Sequence, residues 1–159
     1  MEMDEKWQQA LGSMTYGIYV LTTFHKEKIN GMIASWVSQV SHNPPMVMVA
    51  VHPNRYSHQL IQDSGYYALH ILPRNKTDLL SRFKGPDPEA KFNAIQWVRG
   101  KTGCPILKDC LGYLECMVKE MVAPGNHTLF LGEILDAQAF SQENPMSTLD
   151  YEGIYTGRD

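Results

Sequence analysis

The sequence lacks the long apolar runs and the excess of positive charge that mark membrane-spanning and nucleic-acid-binding proteins. Its longest apolar run, Met46 to Val51, is far too short to span a bilayer as a helix. Lys and Arg number 14 against 17 Asp and Glu, and the formal net charge of −3 gives no field that attracts a nucleic-acid backbone or an anionic lipid surface. We therefore expect neither a nucleic acid nor a membrane as a partner.

Cysteine is also scarce. Cys104, Cys110 and Cys116 are odd in number and never closer than six residues, so they indicate neither a disulfide framework nor a zinc knuckle. We expect them to behave as small buried hydrophobes in a reducing compartment. Residues 1–5 are acidic, the reverse of the basic start of a signal peptide, and the expected location is therefore the cytoplasm.

Several familiar catalytic motifs are missing as well. The chain contains no Gly-x-Gly-x-x-Gly, no Walker loop, no Gly-x-Ser-x-Gly and no His-Glu-x-x-His. Its six histidines show no spacing typical of a metal site, so we expect no bound metal. A nicotinamide cofactor, if the protein uses one, has to bind without a Rossmann unit.

The residues that are present describe an ordinary globular domain. With 43% hydrophobic and 19% charged residues, the 159-residue chain fits a single domain, 1–159, with a sizeable core. Alternating and apolar patterns predict three short helices and no βαβ rhythm, together with six strands at residues 16–24, 29–40, 46–52, 66–72, 111–122 and 129–140. Residues 85–103 are predicted to form a long loop-rich segment. The pattern predicts a mainly β fold, an antiparallel barrel with helices packed outside it.

Residues 31–51 form the most informative stretch. A strand that carries Gly31, Ala34, Ser35, Ser38 and Ser41 runs through Pro44-Pro45 into an almost wholly apolar strand. Strand interiors normally favour bulky side chains, so small residues there indicate that another backbone or a flat ligand approaches closely. Tight packing on another strand or on a second subunit is the alternative, and a dimer interface can also build a ligand cleft.

Two further features could carry chemistry. A short helix is predicted after Asn54, with Ser57 as its possible cap. In that case the backbone N–H groups at the helix start, together with Arg55, Ser57 and His58, form a phosphate site. The alternative is an exposed helix cap with a solvated arginine. His127 follows a Gly-Asn turn at the entrance of an apolar strand, where an imidazole can act as a proton donor or a hydrogen-bond anchor. The alternative for His127 is a turn residue satisfied by its own loop.

The joint order of these motifs resembles the flavin reductase-like family, whose fold is the FMN-binding split barrel. The resemblance extends from about residue 10 to residue 139. It rests on residues 16–23, the stretch 32–41 with Pro44-Pro45, the loop 54–58, Phe83-Lys84-Gly85, Lys91-Phe92, residues 103–107 and residues 125–133. Membership implies a mainly β, six-stranded antiparallel split β-barrel with Greek-key topology and short flanking helices. It also implies a homodimer that binds FMN in each subunit.

The resemblance further implies a role for individual residues. His127 is the expected catalytic residue, near the site of the nicotinamide. The expected cofactor-binding residues are Ile33, Ala34, Ser35, Trp36, Val37 and Ser38 along the ring and ribityl chain, and Asn54, Arg55, Ser57, His58 and Lys91 at the phosphate. Many relatives have a small residue in place of Trp36, and several carry threonine near the position of His58.

The implied reaction is hydride transfer from NADH or NADPH to the flavin, followed by electron delivery to free flavin, ferric iron or a redox partner such as rubredoxin or a flavodiiron protein. Hydride transfer needs no strong acid or base, which agrees with the missing catalytic motifs. The alternative is an electron carrier of the flavoredoxin type, in which a partner protein reduces a permanently bound FMN.

Overall fold

The computed structural model describes residues 2–150, which are built around antiparallel strands. The strands are β1 Tyr19–His25, β2 Lys28–Ala34, β3 Val37–Ser41, β4 Met46–Val51, β5 Tyr66–Ile71, β6 Trp97–Arg99, β7 Pro105–Leu107, β8 Gly112–Val122 and β9 Thr128–Ala139. Seven of them form one sheet in the order β2-β1-β5-β8-β9-β4-β3, and β6 pairs with β7 separately. The predicted mainly β class is confirmed. The predicted domain 1–159 also includes Met1 and residues 151–159, which lie outside the described residues.

The two edge strands of the main sheet are consecutive in the chain, and this closes the sheet into a split barrel. Only Ser35 and Trp36 connect the end of β2 to the start of β3. Three peptide units reach at most about 11 Å, so the sheet has to curve until its edges almost meet. The predicted single strand 29–40 is therefore wrong in one respect. It is broken because its first half pairs with β1 and its second half with β4, so the main sheet has seven strands where six were expected.

Four short helices accompany the sheet: α1 Glu5–Gly12, α2 Tyr56–Ser64, α3 Thr77–Lys84 and α4 Pro88–Phe92. α2 ends at Gly65, which adopts a left-handed φ of 81° and donates its N–H to the Ile61 carbonyl. α4 and β6 occupy much of the segment 85–103 that was predicted as loop, and the Asp87 carboxylate caps α4 by accepting from the Glu89 N–H. No helix within residues 2–150 is both long and apolar enough to cross a membrane.

Apolar side chains cover both faces of the sheet. Successive residues of a strand face opposite sides, and on β1 Leu21 joins the cluster inside the barrel with Phe130, whereas Val20 joins an outer cluster with Leu79 and Phe83 of α3. The outer cluster explains Gly31 of β2, where an added Cβ would lie 2.5 Å from Cε1 of Phe83. The absence of a side chain at this position therefore serves the packing of α3 rather than the approach of a flat ligand.

The three cysteines are buried and form no disulfide. Burial raises the pKa of the Cys104 and Cys116 thiols to about 12 and that of Cys110 to about 11. The thiols are therefore protonated at neutral pH and unreactive. The expectation that they act as small buried hydrophobes is confirmed.

His70 of β5 joins three strands through a fully buried imidazole. Its Nδ1 donates to the Val20 carbonyl of β1 at 3.0 Å, and its Nε2 accepts from the Leu107 N–H of β7 at 3.1 Å. This pair of bonds requires the neutral ring, with its proton on Nδ1. Burial lowers the pKa of His70 to about 4, although the bond to Val20 opposes the shift.

We predict that His70 makes the stability of the fold depend on pH between about 6.5 and 4. In this window the unfolded chain takes up the proton and the folded chain does not, so the free energy of unfolding falls as the pH falls, by up to about 3 kcal/mol. Urea unfolding at several pH values measures the effect. The stability difference between wild type and His70→Gln should shrink from pH 7 to pH 4, whereas that for a Leu149→Ala control, which removes no titratable group, should stay constant. A constant difference for His70→Gln would contradict the assignment.

Candidate functional site

The break between β2 and β3 leaves a buried hydroxyl without a partner in the barrel wall. The Trp36 carbonyl accepts from the Ala50 N–H of β4 at 3.0 Å, so the chain remains attached to the sheet across the break. Ser35 is only 3% exposed, yet within residues 2–150 its Oγ has no hydrogen-bond partner. An unpaired buried polar group costs about 1–3 kcal/mol, so a ligand that bonds to Ser35 at the break would be stabilised by that amount.

Next to the break, three rings pack in sequence. The Trp36 and His127 rings lie 4.6 Å apart between centroids, at an interplanar angle of 49°. The His52 ring meets His127 edge-on at 5.2 Å and 90°. His127 Nδ1 also lies 2.8 Å from the Asn126 Oδ1, an acceptor, so Nδ1 carries the proton. The strand break, the end of β4 and the start of β9 therefore meet at one half-buried aromatic group.

The start of α2 differs from the prediction. Arg55 is the N-cap and makes no side-chain cap bond, and Ser57 is already the second residue of the helix. Ser57 is fully buried, and its Oγ accepts from the Asn30 Nδ2 of β2 at 2.9 Å. The expectation that Ser57 caps the helix is therefore wrong, because the cap lies two residues earlier, at Arg55, and the Ser57 hydroxyl binds the neighbouring strand instead.

His58, the next residue of α2, binds the start of β9. Its Nε2 lies 2.7 Å from the Thr128 Oγ1, and its ring packs edge-on against Phe130 at 5.1 Å. Burial lowers the pKa of His58, and the charge of His52 lowers it further. A protonated His58 is thus disfavoured by its surroundings, and the neutral imidazole links α2 to the strand that follows His127.

Lys91 of α4 carries a buried positive charge beside Arg55. Lys91 is 6% exposed, and its Nζ donates to the Asn30 Oδ1 at 3.0 Å and to the Gly31 carbonyl at 2.8 Å. Burial lowers its pKa, the charge of Arg55 lowers it further, and Asp87 opposes the shift. No carboxylate among residues 2–150 lies within ion-pair distance of its Nζ. Two neighbouring cations near a helix start therefore form an environment that favours an anion.

The structure brings half of the predicted site residues together in two groups. Ser57 and Lys91 both bind Asn30 near the start of α2, with the charge of Arg55 close to Lys91, and Trp36 and His127 meet beside Ser35. Four others have no polar side-chain contact with either group. Ile33 packs against the outer cluster and Val37 against the inner one, the Ser38 Oγ donates to the Gln39 carbonyl, and Asn54 donates only its backbone N–H, to His52. Within residues 2–150, no three histidine, cysteine or carboxylate side chains converge as a metal site requires.

Sequence reasoning missed three residues that hold the site together: Asn30, His52 and Thr128. Asn30 connects Ser57 to Lys91, and a buried amide in the middle of a strand is the signal that could have identified it. His52 and Thr128 each lie next to a predicted feature, at the end of the apolar strand and directly after His127. Their partners are distant in the sequence, so spacing alone gives no sign of them.

Comparison with known proteins agrees with this architecture. The profile of the flavin reductase like domain matches residues 11–157. The chain is 31% identical over 159 residues to the high molecular weight rubredoxin of Moorella thermoacetica, covering 98% of this chain and 68% of that protein. It is 26% identical over 155 residues to the ferric-chelate reductase (NAD(P)H) of Archaeoglobus fulgidus, covering 94% and 91%.

A solved structure shares the fold. The NADH:FAD oxidoreductase SgcE6 of Streptomyces globisporus, determined with NAD and FAD fragments, superposes with a TM-score of 0.84 at 24% identity, covering 99% of this chain and 94% of that one. At this identity the likeness concerns the fold alone. The profile match, by contrast, extends over nearly the whole sequence and includes both groups of site residues. This chain belongs to the family of flavin reductase like domains.

Proposed function

We propose that this protein binds one FMN per subunit, takes a hydride from NADH or NADPH, and passes the electrons to free flavin, ferric iron or a redox partner protein. Its family and relatives identify it as an NAD(P)H-dependent flavin reductase. FMN as the flavin and the onward transfer of electrons are our additions. The bound flavin supplies the redox chemistry, and the residues of the chain bind and orient the two ring systems.

The buried charge of Lys91 is the observation that carries the proposal. A lysine ammonium that is 6% exposed and has no carboxylate partner among residues 2–150 needs an anion to offset its desolvation. Arg55 adds a second charge and the start of α2 adds backbone donors, a combination that suits a phosphate group.

The ring end of the site fits the same ligand. Ser35 supplies a buried hydroxyl without a partner among the described residues, and a hydroxyl can bind the polar edge of a planar ring. His127 and Trp36 border this position. In the proposed reaction His127 orients the nicotinamide by a hydrogen bond, and no residue has to abstract a proton.

We further propose a homodimer. In β3, Ser38, Gln39 and Val40 are exposed in succession, although β3 is an edge strand with unpaired backbone groups. Val40, Met121 and Leu135 add exposed apolar area, at 48%, 43% and 49% exposure. An edge strand of this kind is usually covered in the native assembly, and twofold pairing is the commonest way to do so.

An electron carrier of the flavoredoxin type remains the second candidate, because the chain matches a high molecular weight rubredoxin at 31% identity. Both candidates bind FMN, and they differ in the reductant. Anaerobic bleaching of the flavin absorbance by NADH or NADPH alone supports the reductase. Bleaching only after a reduced partner protein is added supports the carrier.

We predict that Arg55→Ala weakens FMN binding about ten- to a hundredfold, because it removes a charge-assisted contact to the phosphate. Riboflavin lacks the phosphate, so its affinity should hardly change. Fluorescence titration of both ligands measures the effect, with Arg99→Ala as the control for loss of a surface arginine. Equal losses for FMN and riboflavin would place the phosphate elsewhere.

His127→Ala should leave FMN bound but slow its reduction by pyridine nucleotide roughly five- to a hundredfold, because one positioning contact is lost. Stopped-flow absorbance at matched FMN occupancy gives the rate. Reduction by dithionite, which needs no docking site, serves as the internal control and should be unchanged. If His127→Ala is reduced by NADH and NADPH at the wild-type rate, His127 is only a turn residue and does not orient the nicotinamide.

Sedimentation at micromolar concentration should give about twice the 18.1 kDa mass of the chain, as twofold pairing requires. Val40→Glu places a charge on the exposed edge strand and should shift the protein toward the single-chain mass. Leu149→Glu is the matched control, since Leu149 is 81% exposed and lies outside the sheet. A wild-type monomer that binds FMN fully would contradict the shared interface.

A further inference from the structure

His52 has no role in the function proposed so far, yet it lies against the residue to which that function assigns the nicotinamide. It directly follows β4 and is half-buried. Its ring meets the His127 ring edge-on, with the two centroids 5.2 Å apart. The His127 ring therefore contacts two other rings, those of Trp36 and His52. The backbone N–H of Asn54 donates to the His52 Nδ1 at 3.3 Å, which holds the His52 ring to its own loop. The neutral His52 ring therefore carries its proton on Nε2.

The two neighbours of His127 are fixed to the same strand. Trp36 is bound to β4 through the Ala50 N–H, and His52 continues β4 two residues later. His127 itself directly precedes β9, and its Nδ1 donates to the Oδ1 of the adjacent and exposed Asn126. A bond to the preceding residue orients the imidazole within its turn. The ring contacts with Trp36 and His52 connect the imidazole to the strand break and to the end of β4.

We propose that His52 is a positioning residue, which holds the His127 imidazole against Trp36 at the ring end of the site. The effect of His52 on the reduction rate rests on the proposed function. The position of the His127 ring does not, because it can be measured in the flavin-free chain. The contact is one between ring surfaces. A phenyl ring at position 52 should therefore preserve the position of His127, whereas a methyl group should release it.

The structural part is tested by NMR on the flavin-free protein at a single pH, with labelled histidine. The ring current of Trp36 should displace the carbon-bound ring protons of His127, and Trp36→Leu identifies that displacement by abolishing it. His52→Ala should remove most of the displacement, and His52→Phe should retain it. His25→Ala is the matched control, because His25 lies at the far end of the β1–β2 hairpin from the strand break. An unchanged displacement in His52→Ala would overturn the proposal.

The functional part is tested by stopped-flow reduction of the FMN-loaded protein. His52→Ala should lose roughly five- to fiftyfold in the ratio of reduction rate to nucleotide dissociation constant, as expected for a misplaced contact. His52→Phe should recover to within about threefold of wild type, and the FMN dissociation constant and the dithionite rate should be unchanged in both. A failure of His52→Phe to recover, or a loss of FMN affinity in His52→Ala, would overturn the positioning role.

The two parts separate this inference from the proposed function. If wild type does not bind FMN, the proposed function fails, and the NMR comparison still decides whether His52 positions His127. If FMN binds and is reduced by NADH or NADPH but His52→Ala behaves as wild type in both measurements, the proposed function stands and the role of His52 is wrong.

Discussion

The connection of two residues between β2 and β3 is the constraint on which the rest of the structure depends. Because Ser35 and Trp36 alone join the two edges of a seven-stranded sheet, the sheet has to close into a barrel. The same connection interrupts strand pairing, so a serine hydroxyl is buried without a partner within residues 2–150, and a tryptophan meets the end of β4 and the start of β9. The same two residues thus close the barrel and form one end of the candidate site.

The opposite end of the site is built from charge rather than from strand geometry. Burying the Lys91 ammonium costs free energy, because its hydrogen bonds to Asn30 and to the Gly31 carbonyl replace only part of its hydration. A buried ammonium without a carboxylate partner among residues 2–150 therefore destabilises the ligand-free chain. An anion held between Lys91 and Arg55 would relieve the repulsion between the two cations and link ligand binding to stability.

The sequence predicts the fold class well, because several apolar or alternating runs of strand length are bounded by Gly, Pro or Asn. β4, β5 and the turn before β9 lie close to their predicted positions. The strand break escapes prediction because small residues continue across Ser35 and Trp36, and only the pairing partners change there. The start of α2 was misplaced because Ser57 has the chemistry of a cap but bonds to Asn30, a residue on another strand. Long-range contacts decide both cases, and no local pattern reports them.

The two ends of the site are connected through the protein itself. Ser57 and His58 are consecutive in α2, and each binds a different part of the barrel: Ser57 binds Asn30 beside Lys91, and His58 binds Thr128 beside His127. Any shift of the α2 start toward an anion therefore acts on the first residue of β9 through a 2.7 Å hydrogen bond. Because Thr128 follows His127 directly, the same bond limits how far His127 can move from Trp36. One helical turn thus connects the cationic end of the candidate site, at Lys91, to its aromatic end, at His127.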